Sequence, residues 1–133
     1  MNTRGTLKRQ NMHLDDYNCE LCLFQREETI THLFLRCPFA KSCWNIIGIN
    51  APHTDYPLVV VQRIRRQLRV PFYMEIIILM IWSIWTVRNN WIFNNQDPSL
   101  QACRAKFIYE FTMVIHRAKS NLKNEMSSWI HNF

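Results

Sequence analysis

A mainly α fold is predicted for this chain: a small zinc-stapled CCHC helical module, then an amphipathic helix, then two long helices packed as an antiparallel pair. Three observations predict it. Only two of the 133 residues are glycine, so sharp turns and hairpins are scarce and helices are favoured over sheets. Apolar residues in the C-terminal half recur mostly at intervals of three and four, the spacing of one helix face. Three of the five cysteines and one of the five histidines fall within residues 19–37. A chain of this length, 48% hydrophobic, is globular and makes one domain more readily than two. Its segments read as a metal-binding module at 1–50, a loop and basic amphipathic helix at 51–70, and a two-helix region at 71–133.

The start, MNTRGTLKRQNMHLDD, is polar and basic and lacks the apolar core of a secretory signal. Five cysteines without an export signal indicate a reducing, intracellular compartment, nucleus or cytoplasm, where clustered cysteines are more often metal ligands than disulfides. The spacing Cys19-x2-Cys22-x9-His32-x4-Cys37 suits one structural zinc ion. The first pair forms a tight turn that aims two thiolates at one point; the second adds an imidazole and a third thiolate. Three sulfurs and one nitrogen close the tetrahedron, leaving no position for a reactive water. The competing reading is a set of buried free cysteines beside a stray histidine.

Residues 25–29, QREET, suit a surface loop, and Thr29 or Thr31 is placed to cap a helix whose first turn carries His32. Leu33, Phe34 and Leu35 supply apolar contacts beneath the site. Pro38 is placed to open a helix that runs to Ile47 and stops at Gly48. Cys43 reads as a core residue beside Trp44, with the alternative that it replaces a lost ligand; Cys103 reads as core.

A loop at 49–57 leads to a helix start marked by Asp55 and Pro57. Val61, Ile64 and Leu68 give that helix an apolar face, while Arg63, Arg65, Arg66 and Arg69 occupy much of the remainder. Those arginines form either a phosphate-contacting patch or an ordinary solvated face. Residues 63–133 carry the whole excess charge, with ten Lys/Arg against four Asp/Glu, out of a net +6.

Pro71 is expected to open the next helix, which runs to Asn94. Its apolar run, Ile76–Val87, is shorter than the ~20 residues of a membrane span, so a buried central helix is expected and a membrane partner is not. Trp82, Trp85 and Trp91 are assigned to the core rather than to a base-stacking platform. Asp97 and Pro98 are expected to start one last helix, with a continuous stripe of Leu100, Cys103, Phe107, Phe111, Val114, Ala118, Leu122 and Met126. Lys106, Arg117, Lys119 and Lys123 lie largely off that stripe. His13, His53, His116 and His131 are isolated, with no second ligand at metal spacing.

Catalytic signatures are absent. Asp15 and Asp16 are the one adjacent aspartate pair, and they precede the cysteine turn without the apolar strand or third carboxylate of two-metal nucleotidyl transfer. No glycine-rich phosphate loop or activated nucleophile is recognisable, so neither an enzyme nor a small-molecule substrate is expected.

Two stretches, TRGTLKRQNMHLDDYNCELC and EETITHLFLRCPFAKSCW, resemble the zinc-binding domain that follows the reverse transcriptase of plant LINE-type (non-LTR) retroelements. The positions that carry the resemblance are Thr3, Arg4, Leu7, Cys19, Cys22, Glu28, Thr29, His32, Leu33, Phe34, Cys37, Ala40 and Trp44. The stretch IWSIWTVRNNWIFNN, residues 81–95, is similar to the segment that often follows, with Trp85, Arg88 and Asn89 in characteristic places. The resemblance implies a non-catalytic zinc module excerpted from a longer element protein and contacting RNA or DNA through phosphates. Two alternatives stand beside it: a module that binds another protein chain through its C-terminal helices, and a decayed element fragment without selected function.

Overall fold

The computed structural model describes residues 1–10, 14, 17–22 and 26–133. Helix α1 (Arg4–Arg9) opens the chain, capped by Thr3, whose hydroxyl accepts the Thr6 amide at 3.1 Å. One antiparallel bridge, Asn18 to Glu27, joins the two sides of the cysteine turn. A π-helical turn (His32–Arg36) leads through Cys37 into α2 (Pro38–Ile46), and α3 (Pro57–Leu68), α4 (Tyr73–Asn94), α5 (Leu100–Arg117) and α6 (Ser120–Ile130) follow. Among the described residues there is no named strand, so the architecture is mainly helical, as the glycine count and the spacing predict.

Helix α2 begins and ends as expected. Pro38 sits in its first turn, and Gly48 adopts φ +76° just beyond its end. The Ile49 amide donates to the Trp44 carbonyl and the Gly48 amide to the Asn45 carbonyl, each at 3.0 Å, the paired bonds of a Schellman stop. Ile49 and Trp44, both buried, supply the apolar contact that goes with it. Helix α3 starts at Pro57, but Asp55 is no cap: its carboxylate pairs with Arg36 of the π-turn. Pro71 lies in the turn before α4, which starts at Tyr73 because Phe72 is drawn into the core.

Helix α4 is the central element. The π-turn, α2, α3 and α5 all pack on it, and Ile76, Ile77, Met80, Ile84 and Val87 form its buried face. At 22 residues and mean hydropathy 1.3 over its best window, it is long and apolar enough to cross a membrane by length and composition. In this fold it carries the core shared by all three segments of the chain. The tryptophans depart from expectation. Trp82 is 43% exposed and Trp91 is half-buried, whereas Trp85, also half-buried, packs against the core with its ring 6.3 Å from that of Phe34. The fully buried tryptophan is Trp44, whose indole donates to the Phe34 carbonyl at 2.7 Å.

The last helix is two helices. Neither Asp97 nor Pro98 starts it; Ser99 caps α5 through the Ala102 amide at 3.0 Å. The stripe then breaks where Ala118 and Lys119 turn extended, with ψ of 157° and 145°. No proline or glycine marks the break. Its cause is tertiary: α6 folds back so that the Trp129 ring lies 5.1 Å from Phe111 and 6.1 Å from both Phe72 and Phe107. A straight continuation would carry Trp129 away from that cluster. Leu100, placed on the stripe by its spacing, is 42% exposed at the start of α5.

Candidate metal centre

The four predicted donors come together. The ligand atoms of Cys19, Cys22, His32 and Cys37 all lie within 4.8 Å of one another. Two local devices bring them there. The first is the cysteine turn. The Cys19 amide donates to the Arg26 carbonyl at 2.8 Å and the Glu28 amide to the Tyr17 carbonyl at 2.9 Å, so the turn is clamped on both sides. The Leu21 amide points at Cys19 Sγ, 3.4 Å away, and favours its thiolate form.

The second device is the π-turn. Five residues along a straight α-helix rotate a side chain by roughly 140° from its starting direction. His32 and Cys37 would then face apart. Here the Cys37 amide bonds to the His32 carbonyl at 2.7 Å, and this wider i→i+5 turn brings the two side chains towards register. Thr29 starts the turn, its hydroxyl accepting the His32 amide at 3.0 Å. Thr29 is thus the capping threonine, while Thr31 makes no side-chain cap bond.

The geometry fits zinc. Bond lengths of ~2.3 Å to sulfur and ~2.05 Å to nitrogen at tetrahedral angles require S···S near ~3.8 Å and S···N near ~3.6 Å. Cys19 Sγ and Cys37 Sγ are 4.0 Å apart, and Cys22 Sγ and His32 Nε2 are 3.5 Å apart. Cys19 and Cys37 are buried and Cys22 is half-buried. The Cys37 thiol is held down to about 6, first by the hydrogen bond from Cys19 and then by the Phe39 and Ala40 amides at the start of α2. Cys19, the donor of that bond, is pushed up by it and by burial. His32 is pushed down, first by burial and then by the Arg26 charge, which keeps the imidazole neutral as a metal ligand must be.

The other cysteines are core. Cys43 is fully buried on α2, where its hydrogen bond with Cys103 and its burial push its thiol up, and it stands outside the donor group. Cys103 also lies against Met80, with sulfurs 3.9 Å apart. Among the described residues no second cluster of potential ligands forms. His13, Asp15 and Asp16 lie outside the described residues.

One group of residues was visible in the sequence without a role. Glu28 belongs to the stretch read as a surface loop, yet its side chain is 0% exposed. Arg88 of α4 binds it with both arms of the fork, Nη2 to Oε1 at 2.7 Å and Nε to Oε2 at 3.0 Å. The Arg4 amide donates to the same carboxylate at 2.8 Å. Arg88 also lies over the Trp85 ring, 4.7 Å from its centroid, and reaches Asn89 Oδ1 at 2.8 Å. Gly5 makes this packing possible: its amide donates to the Glu28 carbonyl at 2.7 Å, and an added Cβ would stand 2.7 Å from that oxygen. Glu28 thus ties α1, the metal-binding segment and α4 together. The signal was present, because Thr3, Arg4, Glu28, Arg88 and Asn89 all belong to the resemblance, but the partners of a pair 60 positions apart are invisible in one sequence.

The arginines of α3 are not brought to the donors. Arg63, Arg65, Arg66 and Arg69 are all exposed. Arg65 stacks over Tyr73 at 5.0 Å, and Arg69 closes α3 in the left-handed region at φ 56°.

Four donors from a clamped turn and a helix start make a Cys3His group compatible with a zinc ion. Residues 1–44, the segment that holds the four donors, match the zf-RVT family, described as zinc-binding in reverse transcriptase. No curated protein and no solved structure matches the chain.

Proposed function

We propose that Cys19, Cys22, His32 and Cys37 bind one structural zinc ion and that the chain acts as a non-catalytic scaffold contacting RNA or DNA through phosphates. The observation that carries this reading is the convergence of the four donors within 4.8 Å, which uses every tetrahedral position. Zinc supplies folding energy here rather than a nucleophile, because ligands drawn from two separated segments are locked together by binding. The exposed arginines of α3 and the net charge of +6 support the phosphate contact, and an intracellular, reducing compartment suits three thiolate ligands.

The test is zinc content of the purified protein with circular dichroism before and after chelation, beside a Cys37→Ala variant. One equivalent of zinc, lost in the variant together with helical signal, is the expected result. A protein that stays fully helical and metal-free would reduce the motif to a relic.

A second reading has its own support. Helix α4 leaves Ile78 57%, Trp82 43% and Phe93 72% exposed, more apolar surface than a solvated helix needs. That surface favours a protein-binding module, and a concentration-dependent mass in solution would distinguish it.

A further inference from the structure

We infer that the cleft beside His32, bordered by Arg26, Arg36, Lys41 and His53, is a binding site for a phosphate group of a single-stranded polynucleotide. The inference rests on the nucleic-acid reading and moves its principal contact from α3 to the metal centre. The cleft has a volume of about 490 Å³, and Glu27 and Pro38 complete its lining. Of the nearby acids, Glu27 pairs with Lys8 at 3.3 Å, outside the cleft lining, and Asp55 offsets the charge of Arg36. Arg26 and Lys41 have no ion-pair partner among the described residues, so their charge is open to a ligand.

One opposing charge has to be weighed. Three thiolates and a zinc ion leave the metal centre at about one net negative charge. The Cys19 and Cys37 sulfurs are buried, however, and the donor that lines the cleft is His32, the uncharged one. Arg26 and Lys41 line the cleft itself, so their two positive charges outweigh the single, largely buried negative charge of the centre. No Phe, Tyr or Trp lines the cleft, so it offers no large ring platform on which a base would stack. What it offers is charge and N–H donors, which recognise phosphate without reading sequence. A concave site admits the flexible backbone of a single strand better than the rod of a duplex.

The experiment is fluorescence anisotropy of a labelled single-stranded RNA oligonucleotide with the zinc-loaded full chain over a range of salt. The chain is compared with an Arg26→Gln/Lys41→Gln variant, a His53→Ala variant and an Arg63→Gln/Arg66→Gln variant, with zinc content and circular dichroism verifying each fold. Removal of the two cleft cations is expected to weaken binding about tenfold and to flatten the salt slope by about 1.4, at ~0.7 per cation for single strands. His53→Ala, at an exposed position, should weaken it less, and inorganic pyrophosphate should compete. Binding unchanged in the cleft variants but weakened in the α3 variant overturns the site and leaves nucleic-acid binding intact. Calorimetric binding of pyrophosphate, lost in the cleft variant, with no binding of RNA overturns the nucleic-acid reading and keeps a phosphate site. Failure to bind either removes both.

Discussion

Replacing Arg88 by alanine tests the link between the metal-binding segment and the helical body. In the folded chain Glu28 is wholly buried, and Arg88, with 7% of its side chain exposed, donates two hydrogen bonds to its carboxylate at 2.7 and 3.0 Å. Without Arg88 the carboxylate keeps, among the described residues, the Arg4 amide alone. Removing one partner of a buried pair costs about 3–5 kcal/mol, since the remaining charge is left desolvated. A domain of this kind is stable by about 5–15 kcal/mol, so the loss is a large fraction of the total. With a urea m-value of about 2 kcal/mol/M, the midpoint should fall by about 2 M. The assay is urea unfolding of the zinc-loaded protein followed by circular dichroism. The double variant Glu28→Gln/Arg88→Met, which removes both charges, should recover much of the loss. The exposed-side control is Lys106→Ala, which breaks a half-exposed i,i+4 pair with Glu110 and should cost under about 0.5 kcal/mol. An Arg88→Ala protein within about 1 kcal/mol of the parent, or a double variant no better than the sum of its parts, would refute the coupling.

Four further outcomes are expected. Gly5→Ala should destabilise by about 1–3 kcal/mol in thermal unfolding, because its Cβ meets backbone rather than a movable side chain, 2.7 Å from the Glu28 carbonyl oxygen. Gly48→Ala should cost about 1 kcal/mol for a different reason, since space is open there but φ is +76°; an unchanged melting temperature would argue against the Schellman stop. Trp129→Ala should cost about 2–4 kcal/mol and raise amide hydrogen exchange in α6 above that in α5, since Trp129 is the ring that docks α6 on Phe72, Phe107 and Phe111. Chelation of zinc should raise exchange first in residues 17–37 and only then in α4, because the Schellman stop of α2 and the α4–α5 packing do not use the metal; simultaneous loss everywhere would contradict that order.

Local signals suffice where the chain's near neighbours decide the outcome. Pro38 and Gly48 bound α2, Pro57 starts α3, and the C-x-x-C turn with a threonine-capped histidine brings four donors together. Errors arose where several local signals competed or where a distant residue decided. Asp97, Pro98 and Ser99 are all plausible starts of α5, and only the hydroxyl of Ser99 reaches an amide. Trp82 and Trp91 sit in a helix apolar nearly all round, whose sequence pattern does not reveal which side the neighbours cover.

Residue types and short spacings by themselves determined the helical class, the convergence of the Cys/His group and the ends of α2, because caps and turns act over a few residues. Only the tertiary structure decided that Glu28 is buried against Arg88, that the stripe of α5 breaks at Ala118, and that Arg26, Arg36 and Lys41 gather at His32. Each of these depends on a partner brought near by folding, and the free energy of burying a charge or a ring is set by that partner rather than by the residue's neighbours in the chain.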